Sequence, residues 1–252
     1  MVEIILFLTG LTVGAMNAVA GGGMLLGFPV MVALGIPPLT ANVTANLVTA
    51  PGQLASAWGY RKYLRKVPKR FALLAPPLAL GAVAGAITLR QTSANDFARL
   101  VPLLVLFGVV LFTVQPLLHF HLRQHLRGKH KTIIPLLLIA LAMIPLSFYG
   151  GYFGAGFGFM MLAFLSFANL HDTHMMNAMK NVGAAIVSTT ALLCLHNTGL
   201  FNWRLGAIMA VGAVIGGYSG ARLSQRLSSH WLRIAVIVIG LSAVVYLGLQ
   251  RY

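Results

Sequence analysis

"VAGGGMLLGFPVMVALGIPP", residues 19–38, is apolar enough to lie in a membrane, yet three consecutive glycines stand near its start. Flexible backbone is costly where no water is present to bond it, so the reading of this stretch decides what the rest of the chain can be. Its surroundings settle the environment. Of 252 residues, 58% are hydrophobic and 8% charged, and the mean hydropathy is +0.86, far outside what a water-soluble domain hides in one core. Stretches long enough to cross a hydrocarbon layer of about 30 Å recur at 38–58, 71–89, 100–118, 174–195, 205–222 and 231–249, and two longer ones run over 4–35 and 133–168. The expected fold class is therefore all-α: a polytopic helical membrane protein of about eight transmembrane helices, one membrane domain over 1–252.

Charge agrees with that reading. Eighteen Lys and Arg face three acids, Glu3, Asp96 and Asp172, for a net charge of +15. In a soluble protein this would point to nucleic acid. Here the cations gather at the ends of apolar segments, six in "YRKYLRKVPKR" (60–70) and four in "HLRQHLRGKHK" (121–131). The expected partners are anionic lipid headgroups on the cytoplasmic side, and not nucleic acid. The N-terminal "MVEIILFLTG" has no basic region or small-residue cleavage site, so the first segment is expected to stay in the protein. A single cysteine, Cys194, excludes an intrachain disulfide and a thiolate metal cluster.

A constant shift of 135 residues lays Gly21 and Gly23 on Gly156 and Gly158, Asn42 and Asn46 on Asn177 and Asn181, and Gly81 and Gly85 on Gly216 and Gly220. This points to a duplication: repeat 1 over about 1–118, a basic linker over 119–131 and repeat 2 over about 132–252. The GxxxG pairs 81/85 and 216/220 read as sites of close helix contact. With 60–70 and 121–131 inside, the loop richer in cations in one half is the poorer one in the other, as inverted repeats require. An inversion needs an odd number of crossings per half. The long glycine unit must supply it, because 32 helical residues would span about 48 Å. Either two half-helices meet at a turn within the membrane, or one kinked helix crosses; the sequence leaves both open.

Broken backbone at membrane depth is tolerated where it is buried in protein or lines a cavity. Helices restarting after Gly23 and Gly158 would present amides without intrahelical partners, each end carrying roughly half a positive charge. The glycines Gly21, Gly22, Gly23, Gly154, Gly156 and Gly158 would let an anion approach those amides. Asn42/Asn46 and Asn177/Asn181 lie at i, i+4 on one helix face, where their carboxamides either bind an oxyanion or bond neighbouring helices. Lys180, between two of them, is a functional-site candidate because a charge there is costly; snorkelling to the interface is the alternative. Asn17, Thr44, Thr49, Gln53, Tyr149 and Tyr152 are further candidates for the same cavity. No metal or cofactor is expected: His119, His121, His125 and His130 read as solvated linker residues, and His171, Asp172 and His174 lack a second carboxylate. "GAGFGF" (154–159) follows no strand and has no acidic partner, so it is not a dinucleotide fingerprint.

These residues resemble a known family. "GGG" at 21–23 with Pro29 after it, the pattern Gly151, Gly154, Ala155, Gly156, Gly158, and "GLFNWR" (199–204) followed by Gly216, Gly220, Ala221 and Arg222 are similar to the sulfite exporter TauE/SafE family of permeases, over almost the whole chain. At Val19 this chain departs from the first motif, which usually has a further glycine there; Gly154 keeps it in the second half. The resemblance implies a bacterial or archaeal inner-membrane transporter of small sulfur-containing anions such as sulfite, organosulfonates and sulfoacetate. A potential of about 100 mV, negative inside, drives a monovalent anion outward by roughly 2.3 kcal/mol, and no clear intramembrane acid is present to couple uptake to protons. An exporter or facilitator is expected, proton-coupled uptake being the alternative. A membrane-embedded enzyme would need a nucleophile and base on one cavity, for which only the loop histidines offer themselves.

Overall fold

A computed structural model describes residues 1–126, 136–167 and 172–224. Ten α-helices lie among them: α1 (Val2–Val19), α2 (Met24–Ala33), α3 (Pro38–Gly59), the short α4 (Arg61–Leu64), α5 (Ala75–Gln91), α6 (Ala94–Leu126), α7 (Leu136–Tyr152), α8 (Phe157–Phe167), α9 (Thr173–Leu195) and α10 (Trp203–Leu223). A 3-10 turn, Lys69–Leu74, leads into α5. Four helical stretches, Val2–Val19, Lys69–Gln91, Thr173–Thr198 and Trp203–Leu223, are long and apolar enough to cross a membrane. Among the described residues α3 is as long, but it buries Asn42, Thr44, Thr49, Gln53 and Ser56, which marks it as an inner helix. The chain is a polytopic helical membrane protein. The helix expected over 231–249 and the linker residues 127–131 fall outside the described residues; α6 runs past the expected end at 118 to Leu126.

The glycine units are hairpins. Helix α1, of 18 residues, is about 27 Å long and α2, of ten, about 15 Å. The second runs back along the first: a Cβ on Gly23 would meet the Val13 carbonyl and Asn17, and one on Gly27 would meet the Val13 side chain. In the second half α8 folds back in the same manner, with the Phe157 ring 2.8 Å from where a Gly150 Cβ would stand. Each unit thus leaves by the end at which it entered. Three full crossings, α3, α5 and α6, then remain in the first half, the odd number that an inversion needs; α9 and α10 are the described crossings of the second.

Close contacts fix the directions. Gly10 meets Met209, Gly14 meets Ala213 and Gly217, and Ala15 meets Gly220, so α1 and α10 run parallel. So do α3 and α10, through Gly52 with Ala213 and Gly59 with Ala221, and α5 and α7, through Gly81 with Ile144 and Gly85 with Phe148 and Tyr152. By contrast α3 and α9 are antiparallel: Thr49 bonds Ser188, while Tyr60, just past α3, lies against His174 at the start of α9. Since α5 follows α3 after a short turn, it runs against α3 and α10. Among the described residues α1, α2, α3 and α5 therefore oppose their counterparts 135 residues on, and the first helix of each half packs on the GxxxG helix of the other. The close approach at Gly85, where a Cβ would lie 2.1 Å from the Phe148 carbonyl oxygen, is the backbone-to-backbone packing that lipid cannot supply by hydrophobic drive.

At one end of the bundle lie Arg61, Lys62, Arg65, Lys66, Lys69, Arg70 and Arg222; at the other, Arg90, Arg99 and the exposed ion pair of Glu3 with Arg204. Asp172 sits at the basic end, where its carboxylate accepts the His174 amide at 2.7 Å and the Met175 amide at 3.4 Å, capping α9. The His174 ring lies tilted against Tyr63, centroids 4.7 Å apart, and His171 lies outside the described residues. Asp172→Ala is expected to lower stability by about 1 kcal/mol and the melting temperature in detergent by a few degrees, leaving transport intact; a melting curve checks it.

Candidate substrate site at the hairpin tips

The two hairpins enter from opposite ends and touch at their tips. A Cβ on Gly21 would lie 2.8 Å from Gly158 Cα, and one on Gly158 would lie 2.7 Å from Gly21 Cα. Gly21 also holds φ at +93°, a conformation that side chains disfavour. Only glycine satisfies both the turn and the contact.

Beside this junction is a cavity of about 30 Å³ lined by both hairpins and by the inner faces of α3 and α9. Its polar residues are Asn17, Asn46, Thr49, Gln53 and Ser188, and Gly21, Gly154 and Gly158 form part of its wall. Gln53 is buried and its side chain bonds to no described residue, Oε1 being fully enclosed. Buried amides are nearly always bonded, so a lone one at a cavity wall marks a place for a polar guest. Thr49 donates to the Ala45 carbonyl and lies 3.1 Å from Ser188 Oγ. Among the described residues the amides of Gly22, Met24, Ala155, Gly156 and Gly158 donate to no other group, as the first turns of α2 and α8 require; of these residues, Met24 and Gly158 line the cavity. No acid does so: all three are accounted for at the bundle ends, Asp96 in a bond with Ser93.

Gly22, Gly23, Asn42, Gly156, Asn177, Lys180 and Asn181, expected at the site, do not line this cavity. Lys180 is 0% exposed, and its ammonium donates to the carbonyls of Asn17 at 2.6 Å and Ala18 at 3.1 Å. These are among the last carbonyls of α1, left without helical partners and carrying the negative end of its dipole. Asn181 Nδ2 also reaches the Ala18 carbonyl, at 3.4 Å. The Asn17 side chain accepts the Gly23 amide at 2.8 Å, tying the two ends of the turn together. Lysine thus does not snorkel; it closes the broken end of the first hairpin and stands beside the tips. In the other half Asn42 donates to the Tyr152 carbonyl at 2.8 Å, the equivalent of the Asn17 carbonyl under the 135-residue shift, while Ala45 occupies the place of Lys180. The second hairpin end is therefore closed by a neutral amide and the first by a cation. Asn42→Leu is expected to lower stability by about 1 kcal/mol, read as a melting shift of a few degrees. Buried Asn177 and Asn181 each keep an unbonded Oδ1.

Thr44, Tyr149 and Tyr152 do not line the cavity. Thr44 Oγ1 accepts the Asn202 amide at 3.0 Å, and the Tyr149 hydroxyl donates to the Ala155 carbonyl at 2.7 Å, holding the second turn closed. Gly22 packs on the Phe159 ring and Gly156 near Gly108. Ser188 is a lining residue that the sequence reading missed. Its signal was present: Ser188 is Gln53 moved by 135 residues.

Inverted repeats with interrupted helices whose tips enclose a polar cavity inside an apolar bundle define a membrane transporter, as opposed to a receptor or an anchor. The profile of one family, sulfite exporter TauE/SafE, matches residues 6–247, and the chain belongs to that family. It is 26% identical over 243 residues to the probable membrane transporter protein YfcA of Escherichia coli (strain K12), covering 93% of this chain and 85% of the relative. It is 26% identical over 250 residues to the probable membrane transporter protein ORF9 of Sinorhizobium sp, covering 96% and 90%. A probable membrane transporter protein of Haemophilus influenzae is 27% identical over 241 residues, covering 93% and 90%. No solved structure matches the chain.

Proposed function

We propose that this protein moves small sulfur-containing anions, of the sulfite, organosulfonate and sulfoacetate class, across the bacterial inner membrane, as an exporter or passive facilitator and not as an enzyme. The observation that carries the reading is the pair of free backbone amides, of Met24 and Gly158, on the wall of the cavity between the hairpins, with Lys180 beside the tips and no acid lining it. Amide donors and a positive charge without a carboxylate favour a negative guest. The basic end of the bundle faces the cytoplasm under the positive-inside rule, so the first hairpin enters from outside and the second from inside.

A cavity of about 30 Å³ holds little more than a water or two. Passage of an oxyanion therefore requires the tips to part, and the opposed hairpins supply two arms that open to opposite sides. Without an acid in the interior, the membrane potential is the driving force: about 100 mV moves a monovalent anion outward with roughly 2.3 kcal/mol.

The test is flux of sulfite, sulfate, sulfoacetate and taurine in proteoliposomes with the potential clamped at either sign. Flux of at least one of the sulfur anions that reverses with the sign of the potential supports the reading. Flux that persists against the potential and follows a proton gradient favours coupled uptake instead, and a lack of flux for all four overturns the substrate class.

A further inference from the structure

The structure points to a second ligand site, away from the transport cavity, and we propose that it holds one anionic phospholipid with its headgroup at Lys69 and Arg70 and an acyl chain along the outer face of α9. A groove of about 230 Å³ opens beside the turn 69–74, walled by Phe71, Leu78, Met161, Met179, Val182 and Ile186, with Lys69 at its rim. Past Val182 and Ile186 it continues into a second hollow of about 350 Å³ against Leu54, Thr189 and Thr190. From Met179 to Thr190 is eleven residues along α9, about 16 Å, close to half of a hydrocarbon core of about 30 Å. That is the depth of one leaflet.

The mouth of the groove carries the matching charge. Lys66, Lys69 and Arg70 are exposed, and among the described residues none of them is paired with an acid; the Arg70 guanidinium lies over the ring of groove-lining Phe71, 5.6 Å from its centroid. Cations of this kind at the cytoplasmic surface attract an anionic headgroup by about fivefold in affinity each. The opposite face of the same helix supplies Ala184, Val187 and Ser188 to the transport cavity. A chain lodged in the groove therefore bears on the helix that lines the substrate site.

Native mass spectrometry of the purified protein titrated with phosphatidylglycerol and with phosphatidylcholine tests the site. The wild type is expected to retain one phosphatidylglycerol through detergent release, with phosphatidylcholine held at least fivefold more weakly. Lys69→Ala with Arg70→Ala should lose that preference, while Arg90→Ala with Arg99→Ala at the other end keeps it. Val182→Trp, which fills the groove, should lose both lipids; should that variant fail to fold, the surface pair decides alone. Equal retention of the two lipids, a preference unchanged by removing Lys69 and Arg70, or a dimer that Val182→Trp splits into monomers would overturn the proposal, the last by assigning the groove to a second copy.

Discussion

Gly158→Leu is expected to abolish transport. Its Cβ would stand 2.7 Å from Gly21 Cα and 3.0 Å from the Gly21 carbonyl oxygen, and the obstructing atoms are backbone, which cannot turn aside as a side chain can. Two helical hairpins would have to separate to make room, at the cost typical of overpacking, about 1–3 kcal/mol or more. The side chain would also occupy the cavity wall where the free amide stands. Flux in proteoliposomes should fall to background while the variant still inserts and runs as a single species in detergent. Gly21→Leu should be worse, since it adds the strain of a side chain at positive φ, about 1–3 kcal/mol, to the same clash. Undiminished flux in a folded Gly158→Leu protein would mean that the hairpin tips are not on the path.

Lys180→Met has the second large effect. It keeps the length of the side chain but removes the donor from two carbonyls buried at the end of α1. The Asn17 carbonyl is orphaned, at about 1–3 kcal/mol, while the Ala18 carbonyl keeps the 3.4 Å bond from Asn181, so the fall in melting temperature is expected to exceed that of Asn42→Leu. Flux should fall further than stability alone explains, because the cation beside the hairpin tips, the only one there among the described residues, is gone. Lys180→Arg separates the two contributions: it keeps the charge but not the compact head that reaches two adjacent carbonyls. Its melting temperature should lie between those of the wild type and Lys180→Met, with anion flux partly retained. A Lys180→Met protein with wild-type flux would leave Lys180 a structural clasp and remove the electrostatic half of the account.

Much of this fold can be read from residue order. The apolar stretches at 38–58, 174–195 and 205–222 fall within a residue or two of α3, α9 and α10, because a helix that must satisfy its backbone inside lipid has few places to end. The shift of 135 residues survives in three dimensions: α3 begins at Pro38 and α9 at Thr173. What the sequence left undecided was the glycine unit, since a turn and a kink use the same residues. Packing decides it, through Gly27 lying back against Val13 and through Gly21 lying against Gly158.

The site was legible in part. Gly21, Asn46, Gly154 and Gly158 line the cavity, and so do Asn17, Thr49 and Gln53. Lys180 is singled out by its cost in an apolar helix, but its partners lie 162 and 163 residues away in sequence, and no local pattern reveals that they are carbonyls at a broken helix end. The asymmetry between Lys180 and Ala45 is visible once the repeats are aligned, while its meaning needs the hairpins in place. Ser188 shows the converse case: the alignment with Gln53 pointed to it, but a serine in an apolar helix is too ordinary to stand out.

The most direct measurement is equilibrium binding of radiolabelled sulfite and sulfoacetate to the purified protein, comparing the wild type with Ser188→Phe. The phenyl ring fills a cavity of about 30 Å³ from its half-buried wall and leaves the hairpin turns and Lys180 untouched. Saturable binding by the wild type, lost in Ser188→Phe and retained in Asp172→Ala, is the result this account predicts. Saturable binding of equal strength in the wild type and in a folded Ser188→Phe protein would place the anion elsewhere and contradict it.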